Sequence, residues 1–102
     1  MTATEQPPVA AIRRTLEECR ADLDRLGVLS LAVFGSVARD EATLDSDIDV
    51  LVDFDGMATL ARYVQLKSLL EERLGRRVDL VTRNGLRERV RPAVEKDAVR
   101  VA

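Results

Sequence analysis

Apolar residues at Val9, Ile12, Leu16, Cys19, Leu23 and Leu26 recur in steps of three and four. That spacing predicts one amphipathic helix over Val9 to Leu26, and Gly27 stands where glycine commonly closes a helix. Val28 to Phe34 is a nearly continuous apolar run, the pattern of a buried strand. Gly35-Ser36 breaks it, and Val37 to Asp40 reads as a short turn. Asp47 to Phe54 alternates with period two. Ile48, Val50, Val52 and Phe54 fall on one face, and Asp47, Asp49, Leu51 and Asp53 on the other. Asp55-Gly56 is a turn. Leu60, Tyr63, Leu66, Leu70 and Leu74 share a helical face, closed by Gly75. Arg77 to Thr82 predicts a third strand, and Asn84-Gly85 another turn. Leu86, Val90 and Val94 outline a last helical stretch that Pro92 must kink or restart. Val99-Arg100-Val101 is a short extended end suited to a sheet edge.

The predicted order is helix, strand, strand, helix, strand, helix. The link between the first two strands is about a dozen residues, long for a hairpin and short for a crossover carrying its own helix. The expected class is therefore α/β (α+β): a small mixed β-sheet with helices packed mainly on one face. Residues 1–8, polar and ending in Pro7-Pro8, are expected to form a flexible leader, and 9–102 a single domain.

Composition narrows the chemistry. The chain has 102 residues, 46% hydrophobic and 33% charged, which excludes a disordered or fibrous chain. No apolar run reaches the length of a membrane span, and Met1 to Ala11 lacks the regions of a signal peptide. Cys19 is the only cysteine, so no internal disulfide forms and a cytoplasmic location is expected. There is no histidine, which excludes a histidine general base, a Ser-His-Asp triad and histidine metal ligation. Carboxylates, hydroxyls and arginines must carry any reaction. Every charged residue from Asp40 to Asp55 is acidic, whereas the stretch from Arg73 onward is rich in arginine. Such a split suits metal plus phosphate, or simply two solvated faces of opposite sign.

Asp47 and Asp49, at i and i+2 on a strand, point to the same side. Carboxylates that close repel, so one is driven toward protonation unless a cation lies between them. Magnesium takes hard oxygen ligands and keeps positions open for phosphates. Asp79 is a lone acid in the otherwise apolar run Val78-Asp79-Leu80-Val81, where a charge calls for a partner or a metal. Taken singly, the aspartate pair also fits a strand with a wet face, and Asp79 a salt bridge to Arg76, Arg77 or Arg83. Gly35-Ser36 at a strand end exposes backbone N–H groups that can cradle a phosphate, and Arg39 can fall on the same side of the turn.

The joint pattern is more specific than its parts. Gly35-Ser36-Val37-Ala38-Arg39, then Ser46-Asp47-Ile48-Asp49-Val50, then an isolated acid on a later strand, resembles the nucleotidyltransferase superfamily related to DNA polymerase beta. The short length and the Ala38-Arg39 and Ser46-Asp47 details resemble its minimal nucleotidyltransferase branch, the antitoxins of HEPN/MNT toxin–antitoxin systems. The resemblance implies a nucleotidyltransferase fold. It implies that Gly35, Ser36 and Arg39 bind the nucleotide, and that Asp47, Asp49 and Asp79 are the catalytic carboxylates that hold one or two Mg2+ ions. Asp40 departs from the pattern, which often has glycine there.

The implied reaction is transfer of AMP from ATP to an acceptor hydroxyl. The chain ends a short way after Asp79, so the acceptor is expected on another protein. By family resemblance that partner is a HEPN-domain ribonuclease toxin and the acceptor a tyrosine, with a homo- or hetero-oligomer as the assembly. Two alternatives stay open: a non-catalytic antitoxin acting by occlusion, and a small-molecule adenylyltransferase subunit. With Phe34, Phe54 and Tyr63 as the only aromatic residues, direct nucleic-acid binding is not expected.

Overall fold

The computed structural model describes residues 9–39, 47–82 and 91–102. The expected leader, the Asn84-Gly85 turn, Asp40, Arg83, Leu86 and Val90 lie outside the described residues. Among the described residues the elements follow in this order: α1 (Val9–Glu18), α2 (Arg20–Arg25), β1 (Val28–Phe34), β2 (Ile48–Phe54), α3 (Leu60–Leu74), β3 (Val78–Thr82), α4 (Arg91–Asp97) and β4 (Val99–Arg100).

The strands form one mixed sheet in the order β3-β2-β1-β4. β1 runs antiparallel to both β2 and β4, while β2 and β3 are parallel. Period-two alternation sorts the strand residues between the two faces. Leu31, Val33, Ile48, Val50, Val52, Phe54, Val78 and Leu80 pack with Ile12 and Leu16 of α1, Leu23 of α2, and Leu66 and Leu70 of α3. Phe34 and Leu51 point the other way and meet Val94 of α4. The expected mixed sheet with helices mainly on one face is what forms; α4 covers part of the opposite face.

The first helix differs from expectation. The chain breaks at Cys19, whose φ of -112 and ψ of 27 are not helical. Its N–H bonds Leu16 O at 3.2 Å, a tighter turn than an α-helix makes. The thiol donates to Leu16 O at 3.5 Å, and α2 restarts at Arg20 and buries Leu23. Apolar spacing in steps of three and four is the same for a straight helix and for two short ones, so the break was not visible in the pattern.

α3 follows its signals more closely. Thr59 caps it by accepting from the Arg62 N–H at 3.2 Å, and Gly75 closes it with a φ of 67. Leu60, however, is 78% exposed and does not join the buried face. β3 is an edge strand, and α3 blunts that edge: the Tyr63 hydroxyl donates to Leu80 O at 2.7 Å, and the Val78 N–H donates to Glu71 Oε2 at 2.9 Å. Capping these groups removes an open template for strand addition. Pro92 lies within α4 as described, Arg91–Asp97, and the stretch that would show a kink or a restart before Arg91 lies outside the described residues. Val99–Arg100 is the predicted edge strand. No helix among the described residues is long and apolar enough to cross a membrane.

Candidate active site

Three neighbouring parts of the sheet bring the acids together. β1 ends at Phe34, which is the Cα partner of Asp49 near the start of β2. Across the parallel pair, Asp49 stands level with Asp79 on β3. In-register neighbours on adjacent strands share a face, so the two carboxylates lie side by side. Asp47 precedes Asp49 by two residues and lies just before β2.

Asp49 is half-buried, and its carboxyl is pushed up from an ordinary value near 3.8 to about 6. Burial is the largest cause, followed by the negative charges of Asp79 and then Asp47; Arg39 pulls the other way. Asp79 also lies within hydrogen-bonding reach, which favours a proton held at Asp49. An acid cluster that takes up a proton in this way has room, electrostatically, for a cation.

Gly35 opens the turn after β1 with a φ of 72, in the left-handed region. A Cβ at this position would collide with Asp49 Oδ2. Glycine is therefore required twice: for the backbone conformation and for the closeness of the Asp49 carboxylate. The turn continues through Ser36, which is partly buried, to Arg39, whose N–H bonds Gly35 O at 3.2 Å.

Arg39 and Asp47 each have a partner that spacing did not anticipate. Arg39 NH1 lies 2.7 Å from Asp97 Oδ2 of α4, with the Asp97 side chain only 12% exposed. Asp47 Oδ1 lies 3.2 Å from Arg77 Nε, in an exposed pair just before β2 and β3. Arg77 thus engages Asp47 and not Asp79, and Asp79 itself is exposed. It stands on an edge strand and on the face away from α3, so the cost expected for a charge in an apolar strand does not arise. With Asp47 held by Arg77, no three carboxylates among the described residues converge on one point as a ready-made metal cage. The donor set nonetheless fits magnesium: all the oxygens are hard, the Asp49 and Asp79 carboxylates are adjacent, and the charge of Asp47 acts on the same cluster.

Asp97 is the residue that sequence reasoning missed. Its only signal was an acidic residue in an arginine-rich stretch, and its separation from Arg39 by 58 positions concealed the pairing.

Comparison with known proteins converges on one family. The model of the nucleotidyltransferase domain matches residues 12–101. The protein adenylyltransferase MntA of Thermococcus cleftensis is 40% identical over 95 residues, covering 85% of this chain and 96% of its own length. A solved minimal nucleotidyltransferase is 41% identical with a TM-score of 0.76, covering 91% of this chain and 95% of that one. A chain from the tri-AMPylated Shewanella oneidensis HEPN toxin in complex with MNT antitoxin shares the fold, with a TM-score of 0.64 at 17% identity over 89% of this chain and 71% of that one.

Proposed function

Because this chain belongs to the nucleotidyltransferase domain family and is a nucleotidyltransferase, we propose that it is an antitoxin that transfers AMP from ATP to a tyrosine hydroxyl of a cognate HEPN-domain ribonuclease toxin in the cytoplasm. The observation that carries the reading is the side-by-side placement of Asp49 and Asp79 against a glycine turn where a Cβ would displace the Asp49 carboxylate. Two features of relatives supply the acceptor class: the adenylyltransferase named above acts on protein, and the Shewanella complex holds a tri-AMPylated toxin.

In this reading the Gly35 turn and the Ser36 hydroxyl hold the triphosphate, with Arg39 at a phosphate oxygen. Asp47, Asp49 and Asp79 would hold Mg2+, which when bound supplies positive charge against the triphosphate and the charge that builds up during transfer. Asp49 would have to be ionised to hold the ion, and so would give up the proton that the bare cluster favours. The acceptor oxygen attacks the α-phosphorus. The bond from that phosphorus to the bridging oxygen of the β-phosphate breaks, and pyrophosphate leaves. Asp79, the exposed member of the adjacent in-sheet pair Asp49 and Asp79, takes the acceptor's proton. Nothing in this sequence demands a nucleophile on the enzyme, since positioning and charge neutralisation suffice.

The test is mass measurement on the partner toxin after incubation with this protein, ATP and magnesium. The expected result is a gain in units of AMP on a tyrosine, lost with Asp49→Asn by at least two orders of magnitude in rate. A toxin that binds and is silenced without any gain in mass would sink the enzymatic reading and leave occlusion.

A further inference from the structure

We infer that Asp97, the last residue of α4, is a positioning residue that presents Arg39 to a bound nucleoside triphosphate. The inference rests on the reading of the site as one that holds a triphosphate. Arg39 sits at the end of the glycine turn, and an arginine there has several rotatable bonds and loses considerable rotamer freedom when it binds a ligand. Asp97 removes much of that freedom beforehand. Its carboxylate is largely buried and accepts from Arg39 NH1 at 2.7 Å, the length of a charge-assisted hydrogen bond.

The pairing is built into the fold rather than being a chance surface contact. Val94 docks α4 onto Phe34 and Leu51, one on each of the two strands that lead to Gly35 and from Asp49. Asp97 lies three residues beyond Val94, on the same side of the helix, and so reaches the rim of the site. The Arg39 side chain remains 45% exposed, within reach of an incoming ligand. A planar guanidinium carries five donors, so one edge can stay on Asp97 while another meets a phosphate oxygen.

The test is a double-mutant cycle read by calorimetric binding of a non-hydrolysable ATP analogue in the presence of magnesium. Asp97→Ala and the isosteric Asp97→Asn are each expected to weaken binding about three- to tenfold. Arg39→Ala is expected to weaken it at least as much, and Asp97→Ala made in the Arg39→Ala background should add nothing. In turnover assays the loss should fall on KM for ATP, with kcat little changed. Circular dichroism and thermal melts of each variant establish that it is folded, and the Asn variant keeps the packing if the Ala variant does not fold. Unchanged or tighter binding by both Asp97 variants would overturn the inference, as would an equal loss with and without Arg39. An unsubstituted protein that binds no ATP analogue would instead overturn the functional reading beneath it.

Discussion

Asp49 is the residue on which the site's electrostatics turn. Its carboxyl is lifted to about 6 by burial and by the neighbouring acids, so the folded chain binds that proton more tightly than the unfolded chain does. The sign follows by linkage: stability contributed by the protonated form is present at low pH, falls as pH rises from about 4 to about 6, and is absent above. Asp49→Asn removes the charge. In a chelator, the variant should therefore melt higher than the parent at pH 7.5, with the gap closing at pH 4 and narrowing again when magnesium is added at pH 7.5. A gap that is the same at both pH values would contradict this. Gly35 is constrained as tightly by geometry. Gly35→Ala must hold a left-handed φ, at a cost of roughly 1–2 kcal/mol by urea unfolding. It must also push Asp49 aside. The variant should thus lose more in ATP binding than its stability change alone accounts for.

At the scale of elements, the parallel pairing of β2 with β3 builds the site, and α4 furnishes its rim. Parallel register sets Asp49 beside Asp79, while the antiparallel return of β1 delivers Gly35 to the same end of the sheet. α3 packs on the other face of the sheet, where it buries Leu66 and Leu70 and caps the edge of β3 through Tyr63 and Glu71. α4 is held on its face of the sheet by Val94 against Phe34 and Leu51. Shortening that anchor with Val94→Ala should cost on the order of 1–2 kcal/mol. Hydrogen exchange provides the check: the Ala98 amide, bonded to Val94 O at 2.8 Å, should exchange faster while the amides of β2 keep their protection. Uniform acceleration through β2 would mean that α4 is not a separate local unit.

At the scale of the whole molecule, the sheet puts all the candidate chemistry at one end and on the face that α1, α2 and α3 leave uncovered. Much of this was legible in the chain. Strand periodicity is local, so Ile48, Val50, Val52 and Phe54 declared one buried face and Asp47 and Asp49 the other. Gly27 and Gly75 marked helix boundaries because their backbone preferences do not depend on distant contacts. Asp79 stood out because an acid in an apolar strand needs an explanation wherever the strand lies. What only the tertiary structure decided is non-local. Which residue of β3 stands level with Asp49 depends on inter-strand hydrogen bonds, and a shift of one residue would have turned Asp79 to the other face. Whether Arg77 serves Asp47 or Asp79, and whether Arg39 has a partner, depends on where separate elements dock. The break at Cys19 and the exposure of Leu60 depend on what each helix meets. Sequence by itself thus determined which residues share a face; packing determined which of them meet.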